Sequence, residues 1–394
     1  MKPKWVVAGV VSILITGFLM NSSSGNPQSD KEALAKRLVH DVAGIHENDL
    51  VLLSGGVRDF ELLENLATHV RMVGADPLVT VNSERMGRRY YDMVAAKYDS
   101  QVPAFDLKLG GLITASINVD FGETPELFSD VPPERFAAVG KAAAPIADLL
   151  LKRSVRQVNL GNGMYPTASL AKQWGVSQED LTKIFWAGVN ADYSKLQETG
   201  NAVRGVLESG KELRITNPNG TDLKVRIEGR PVFVSDGVIS NEDAKQGGAA
   251  CQVWLPAGEV FLAPVPGTAE GKVVVNHQFY EGKEVPGLTL TYKAGKLVSM
   301  TAQSGMERLK AQYDAAGEGK DLFAYVDLGI NPDVSVLPGS KMNVWMAAGN
   351  VAVGVGNNSW TGAGNYSNFA LANFLPGSTV TVDGKVLIEN GKLK

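Results

Sequence analysis

Residues Leu50–Val81 read LVLLSGGVRDFELLENLATHVRMVGADPLVTV, and this stretch decides the class of the N-terminal half. Leu50–Leu53 is a short apolar strand and Ser54-Gly55-Gly56 a turn. From 58 to 73 apolar residues recur at Phe60, Leu63, Leu66, Ala67 and Val70, the spacing of a helix with one buried face. Gly74 is placed to cap that helix, and Pro77–Val81 begins the next strand. Strand, helix, strand is the building unit of an open α/β sheet. The turn has no G-x-G-x-x-G pattern, so the unit reads as framework rather than a dinucleotide site.

Outward from there, the pattern predicts helices over 134–152, 167–173 and 177–200 and a strand over Gln157–Leu160. Beyond about 205 the texture becomes β-rich. Leu213–Thr216 and Asp222–Ile227 flank Asn219-Gly220, a strong hairpin signal. Val232–Val234, Val273–Val275, Leu288–Tyr292 and the pair Thr379–Val382 and Lys385–Ile388 around Asp383-Gly384 add strands. The expected organisation is an α/β domain with an open sheet over 30–203, then a β-rich α+β domain over 204–394. Residues 21–30 read as a linker.

The N-terminus has a different character. Lys2 and Lys4 precede the apolar run Trp5–Met20, followed by Asn21-Ser22-Ser23-Ser24-Gly25. A charged start, an apolar run and a small-residue stretch form the layout of a secretory signal over 1–25, with cleavage near Ser24. The run is short for a membrane span of about 20 residues. Export to the periplasm or medium is the expectation. An uncleaved anchor is the alternative, and only then is the membrane a partner.

Bulk composition narrows the function classes. The chain has 394 residues, 44% hydrophobic and 20% charged, with net charge -4, enough for two domains with real cores. Without a basic tract or aromatic-basic interleaving, nucleic acid is excluded as a partner. Cys251 is the one cysteine, so disulfides and a cysteine-ligated metal are excluded. It sits in the apolar run AACQVWLP and reads as a buried small hydrophobe. The histidines are His40, His46, His69 and His277, at spacings that match no H-E-x-x-H helix. His277, with Glu281 nearby, reads as a polar strand-end residue, with a displaced ligand pair the sharper alternative. Serine-hydrolase, Walker and EF-hand patterns do not occur.

The C-terminal half carries the specific motifs. They are RITNPNGTDLKVRIEGR (214–230), LPAGEVFLAPVPGTAEG (255–271), YVDLGINP (325–332), VAVGVGNN (351–358), NYSNFALA (365–372) and TVTVDGKVLIENGKL (379–393). In frame and landmarks these resemble the thermophilic-type metallo-aminopeptidases, the family of aminopeptidases T and S. The resemblance is weak before 200 and good from about 210. It implies a homodimer and a hydrolase with two divalent ions, zinc, cobalt or manganese, sharing an activated water. It places Glu259 at the first glutamate ligand and Asp327 at a second. It places Ala352 and Ala370 where histidines are expected, and Ala372 where an aspartate is expected. No histidine occurs from 278 to 394, so no shift of alignment restores an imidazole.

The expectation is therefore a peptidase scaffold with a dismantled metal site and no resident cofactor. Glu259 and Asp327 remain as remnants, with one of two close carboxylates protonated. Such a scaffold is expected to bind a peptide or partner without cleaving it. The alternative is an active metal-dependent aminopeptidase with atypical ligands, Glu259 among its catalytic residues and Asp321 or Asp333 joining Asp327. The loop 356–369 offers Asn357, Asn358, Trp360, Asn365 and Tyr366. These read either as turn chemistry or as a ligand surface of amides and rings.

Overall fold

The computed structural model describes residues 30–394. The segment 1–25, read as a signal or an anchor, lies outside the described residues. β1 (Leu50–Gly56) and β2 (Asp76–Asn82) pair in parallel and are joined by the helix Phe60–Met72, the strand-helix-strand unit expected, except that Ser54-Gly55-Gly56, read as a turn, continues β1 in register with Thr80–Asn82. The helix buries Leu62, Leu63, Leu66 and Val70. Phe60, read as part of that stripe, is 51% exposed. Two residues span about 200° of a helix, so burying Leu62 turns Phe60 outward. Gly74 has φ 81 and its N–H donates to the Arg71 carbonyl, the cap expected.

β3 (Ala115–Val119) and β4 (Arg156–Leu160) extend the parallel sheet. Helices Pro133–Lys152 and Ala168–Trp174 fall where the pattern puts them. The helix expected over 177–200 is two helices, Gln178–Val189 and Tyr193–Ser209. Asp192 breaks the run: its carboxylate accepts from the N–H groups of Ser194 and Lys195, which starts a new helix there.

The remaining strands are β5 (Glu212–Asn217), β6 (Thr221–Arg226), β7 (Phe233–Ser235), β8 (Gln252–Leu255), β9 (Glu259–Leu262), β10 (Glu270–Tyr280), β11 (Lys283–Lys293), β12 (Lys296–Thr301), β13 (Phe323–Gly329), β14 (Val351–Gly356), β15 (Ala370–Phe374), β16 (Thr379–Val382), β17 (Lys385–Glu389) and β18 (Lys392–Leu393). Gly220, with φ 101, closes the β5–β6 hairpin. An antiparallel sheet has the order β12-β11-β10-β6-β5-β16-β17-β18, and a second has β15-β14-β13-β9-β7.

The parallel sheet has the order β2-β1-β3-β4-β8. Its last strand, β8, therefore comes from well beyond the expected boundary at 203/204, and the helix Tyr193–Ser209 runs across that boundary. Parallel neighbours need long crossovers, so sequence separation does not reveal such a pairing. The chain then passes through Pro256-Ala257-Gly258 directly into β9 of the antiparallel sheet. This short link joins the two sheets, and the candidate site lies beside it.

Candidate functional site

Glu259 opens β9 and Asp327 lies in β13. Gly258 precedes Glu259 with φ +122, and a Cβ there would come within 2.6 Å of the Asn331 Cβ. Only glycine fits this turn, and the turn aims Glu259 inward. In the register, Asp327 faces Phe261 and Gly329 faces Glu259. On the other side Asp327 faces Ala352, while Ala372 faces Gly354 and Ala370 faces Gly356. Directly opposed residues share a face, and alternate residues along a strand share it too. Glu259, Asp327, Ala352, Ala370 and Ala372 thus stand on one face of one sheet.

Aromatic rings cover that face. Tyr325 lies against the backbone of Gly354, where a Cβ would come within 2.2 Å of its Cε1. Tyr325 meets Trp360 with ring centroids 5.1 Å apart and Trp345 at 6.0 Å. Trp360 meets Phe261 at 4.9 Å and Trp254 at 5.5 Å, and Trp345 meets Phe374 at 4.8 Å. The edge-to-face angles of 87° for Trp254 and Trp360 and 69° for Tyr325 and Trp360 set these rings as walls.

The opposite wall is polar and belongs to the parallel sheet. Gly161-Asn162-Gly163 follows β4, with φ 144, 47 and 69. Asn162 Nδ2 donates to Glu259 Oε1 at 2.6 Å and to the Pro256 carbonyl at 3.1 Å. Asn159 Nδ2 donates to Asp120 Oδ1 at 2.8 Å, and Asp120 Oδ2 accepts from the Gly163 N–H at 3.2 Å. Between the walls is a hollow of about 450 Å³ lined by Asp120, Asn162, Gln252, Glu259, Asp327 and the four rings of Trp254, Tyr325, Trp345 and Trp360. It shares Asp120, Asn159 and Gly163 with a hollow of about 760 Å³ along the carboxyl ends of the parallel strands. Among the described residues, no lysine, arginine or histidine lines either one.

Burial dominates the electrostatics. Glu259 is 3% exposed, and loss of water pushes its carboxyl up to about 8, against the Asn162 hydrogen bond that pulls it down. Asp327 is 2% exposed and is held well above the usual carboxylate range, first by burial and then by the charge of Glu259. Among the described residues, Asp327 Oδ1 finds no hydrogen-bond partner.

The family model for thermophilic metalloproteases (M29) matches residues 28–322. The chain belongs to the M29 family. Aminopeptidase PepS of Streptococcus thermophilus is 24% identical over 318 residues, 72% of this chain and 73% of that protein. The structure of wild-type AmpT from Thermus thermophilus superimposes with a TM-score of 0.69 at 18% identity, over 93% of this chain and 99% of that one. A 2,5-dihydroxypyridine dioxygenase from Pseudomonas putida KT2440 shares the fold at a TM-score of 0.60 and 11% identity, over 93% and 97% of the two chains. The M29 match ends before Asp327 and the three alanines, whereas the structural likeness spans nearly the whole chain.

Several residues read as M29-type site candidates fall elsewhere. Asp321 and Asp333 do not line the cleft with Asp327. His277 Nδ1 pairs with Glu284 at 2.7 Å, while Glu281 pairs with Arg308 at 2.6 Å, so His277 and Glu281 form no site together. Of the five loop residues, Trp360 alone lines the cleft. The others build the loop. Asn357 Oδ1 accepts from the Ser359 N–H, and Asn358 Nδ2 donates to the Ala324 carbonyl. Asn365 Nδ2 donates to the Gly319 and Gly356 carbonyls, and the Tyr366 hydroxyl donates to the Gly140 carbonyl. These bonds hold the loop to itself and to its neighbours, the turn chemistry such residues supply.

Sequence reading missed Asp120, Asn159, Asn162, Gln252, Trp254, Tyr325 and Trp345 as lining residues. One signal was present: Gly-Asn-Gly at 161–163 directly follows a strand, at the carboxyl edge where open α/β sheets bind ligands. Trp345 sits in an irregular stretch and gave none.

Proposed function

We propose that this chain is an exported M29 member whose site no longer holds a metal pair, and that its cleft binds a peptide or partner without hydrolysing it. The observation that carries the reading is the sheet face. It presents two carboxylates, three methyl groups and packed aromatic rings at the five positions where the family resemblance puts ligands. A catalytic ion needs about three protein donors and an open position. A methyl group donates nothing. Among the described residues no group of three or more His, Cys, Asp or Glu is placed to hold an ion. His69 pairs with Glu32 and His277 with Glu284, away from the cleft. The residues present do not fit two divalent ions, so no hydrolytic step is assigned.

Family membership favours the competing reading, an active aminopeptidase with atypical ligands, and the aminopeptidase title of the Streptococcus relative points the same way. Export is supported by Lys2, Lys4 and the apolar run Trp5–Met20, and homodimerisation by resemblance alone. Elemental analysis of purified protein, after dialysis against trace zinc, cobalt and manganese, separates the readings. We expect no retained metal and no release of N-terminal residues from peptides. One or two tightly held ions per chain, with turnover, would sink the metal-free reading.

A further inference from the structure

We infer that the larger hollow, at the carboxyl ends of the parallel strands, is a site for a neutral disaccharide. The inference goes beyond the reading above. It concerns the parallel sheet rather than the face that bears Glu259 and Asp327, and it holds whether or not that face carries metal.

Three observations converge. The first is position. In the order β2-β1-β3-β4-β8, the chain leaves β1 for β2 on one side and returns to β3 on the other. The crevice between the carboxyl ends of β1 and β3 is therefore the switch point of the sheet, where open α/β folds bind small ligands. Ser54 of β1 and Asn118 and Val119 of β3 line the hollow there, and its volume of about 760 Å³ suits a small-molecule site.

The second is the floor. One face of this sheet is apolar, with Leu53, Ile117 and Val158 fully buried. The other carries Ser54, Ser116, Asn118, Gln157 and Asn159. Parallel sheets ordinarily bury hydrophobic runs on both faces, so a row of amides serves no packing end. Ser54, Asn118 and Asn159 lie in register across three strands, and Asn82 of β2 stands on the same face. Asn159 spends its side chain on Asp120 and on the Asn162 N–H. Asn82 and Asn118 do not. Asn82 Nδ2 donates to Ser54 Oγ at 2.7 Å and Asn118 Nδ2 to Ser116 Oγ at 3.3 Å. Each of these two amides keeps its oxygen and one N–H for a ligand, a planar fork that fits two adjacent hydroxyls, one donating and one accepting. The forks stand on strands separated by β1, roughly 10 Å apart across the sheet. A nucleobase presents hydrogen-bonding groups along an edge too short to reach both. A disaccharide carries hydroxyls round both rings and can meet both at once.

The third is the walls. Tyr90, Phe121 and Phe128 line the same hollow. Phe128 is held edge-on by Tyr91 and Phe136, with centroids 5.9 and 6.3 Å away. Phe121 lies against Gly56, where a Cβ would come within 2.9 Å of the Phe121 Cβ. Tyr90 and Phe121 are exposed. Such rings offer rigid apolar area on which the C–H face of a pyranose stacks while its hydroxyls meet the amides. Charge excludes other ligands. Glu84 and Asp120 line the hollow and, among the described residues, no basic side chain does, so a nucleotide or an acidic sugar would find no counter-charge. An acyl chain would leave the amides unmet.

Calorimetric titration of the full chain at neutral pH tests this with cellobiose, maltose and N,N′-diacetylchitobiose. Adenine and cyclohexanol, a ring of pyranose size with a single hydroxyl, serve as controls. We expect at least one disaccharide to bind with a Kd of about 1 mM or tighter, and both controls to bind at least tenfold more weakly. Tyr90→Ala and Asn118→Ala should each weaken that binding at least fivefold. Tyr90 lies exposed on the helix Glu84–Met93, so its variant keeps the core intact and tests the site even where Asn118→Ala fails to fold. No binding by any of the three disaccharides, a control within tenfold of the best of them, or a loss smaller than fivefold in either folded variant overturns the inference.

Discussion

The two walls of the cleft solve the problem of buried polarity in opposite ways. On the parallel-sheet side, Asp120, Asn159 and Asn162 are joined by hydrogen bonds among themselves and to nearby backbone. On the antiparallel side, among the described residues, Glu259 has a donor because Asn162 reaches across, and Asp327 Oδ1 has none. Around those carboxylates stand methyl groups and aromatic rings. A wall whose polar groups satisfy one another needs no ligand to be stable. A wall that buries charge-bearing groups among rings retains an unmet demand, and that demand is where binding energy is available.

This contrast can be broken most forcefully at Gly354. Any side chain there meets the Tyr325 ring, so Gly354→Val should destabilise the chain by about 3 kcal/mol or more, read as a lower denaturation midpoint. Wild-type stability would mean the rings are not packed against the alanine-bearing strand. Next in size is Glu259→Gln. In the folded chain the Glu259 carboxyl keeps its proton to about pH 8, against an ordinary 4.5. The folded state then binds more protons than the unfolded state in that window, so this group makes stability fall as pH rises through it. Glutamine removes that penalty while keeping the Asn162 hydrogen bond. The variant should gain stability over the wild type at pH 9 and much less at pH 5. A gain independent of pH would show that Glu259 is ordinary in its titration. The smallest effect belongs to the bridge between the walls. Asn162→Gly accepts the positive φ and removes only the amide, at an expected cost of about 1–3 kcal/mol in urea denaturation. No loss would mean that the two walls are not coupled through this residue.

The local parts of the fold were legible. Helix Phe60–Met72 and the β5–β6 hairpin follow from periodicity and from Asn219-Gly220, signals confined to a few neighbouring residues. The helix pair read as one segment was not legible, because Asp192 acts through a cap rather than through hydrophobic pattern. The candidate site was half legible. Glu259 and Asp327 were found through motif frame and do meet in one cleft. The amides of the 357–366 loop left two readings open, turn chemistry or a ligand surface, because composition cannot tell an amide that faces a ligand from one spent on backbone carbonyls.

By itself the sequence determined the class of both halves, the family frame, and the residue types at the five compared positions. Each of these rests on periodicity, turn chemistry or direct reading of a residue. Tertiary structure alone decided that β8 closes the parallel sheet, that Asn162 reaches Glu259, and that rings from β8, β13 and two loops gather over Asp327. The physical reason is distance along the chain. Asn162 and Glu259 are 97 residues apart, and only packing of one sheet against another brings a donor to within 2.6 Å of a carboxylate so far removed in sequence.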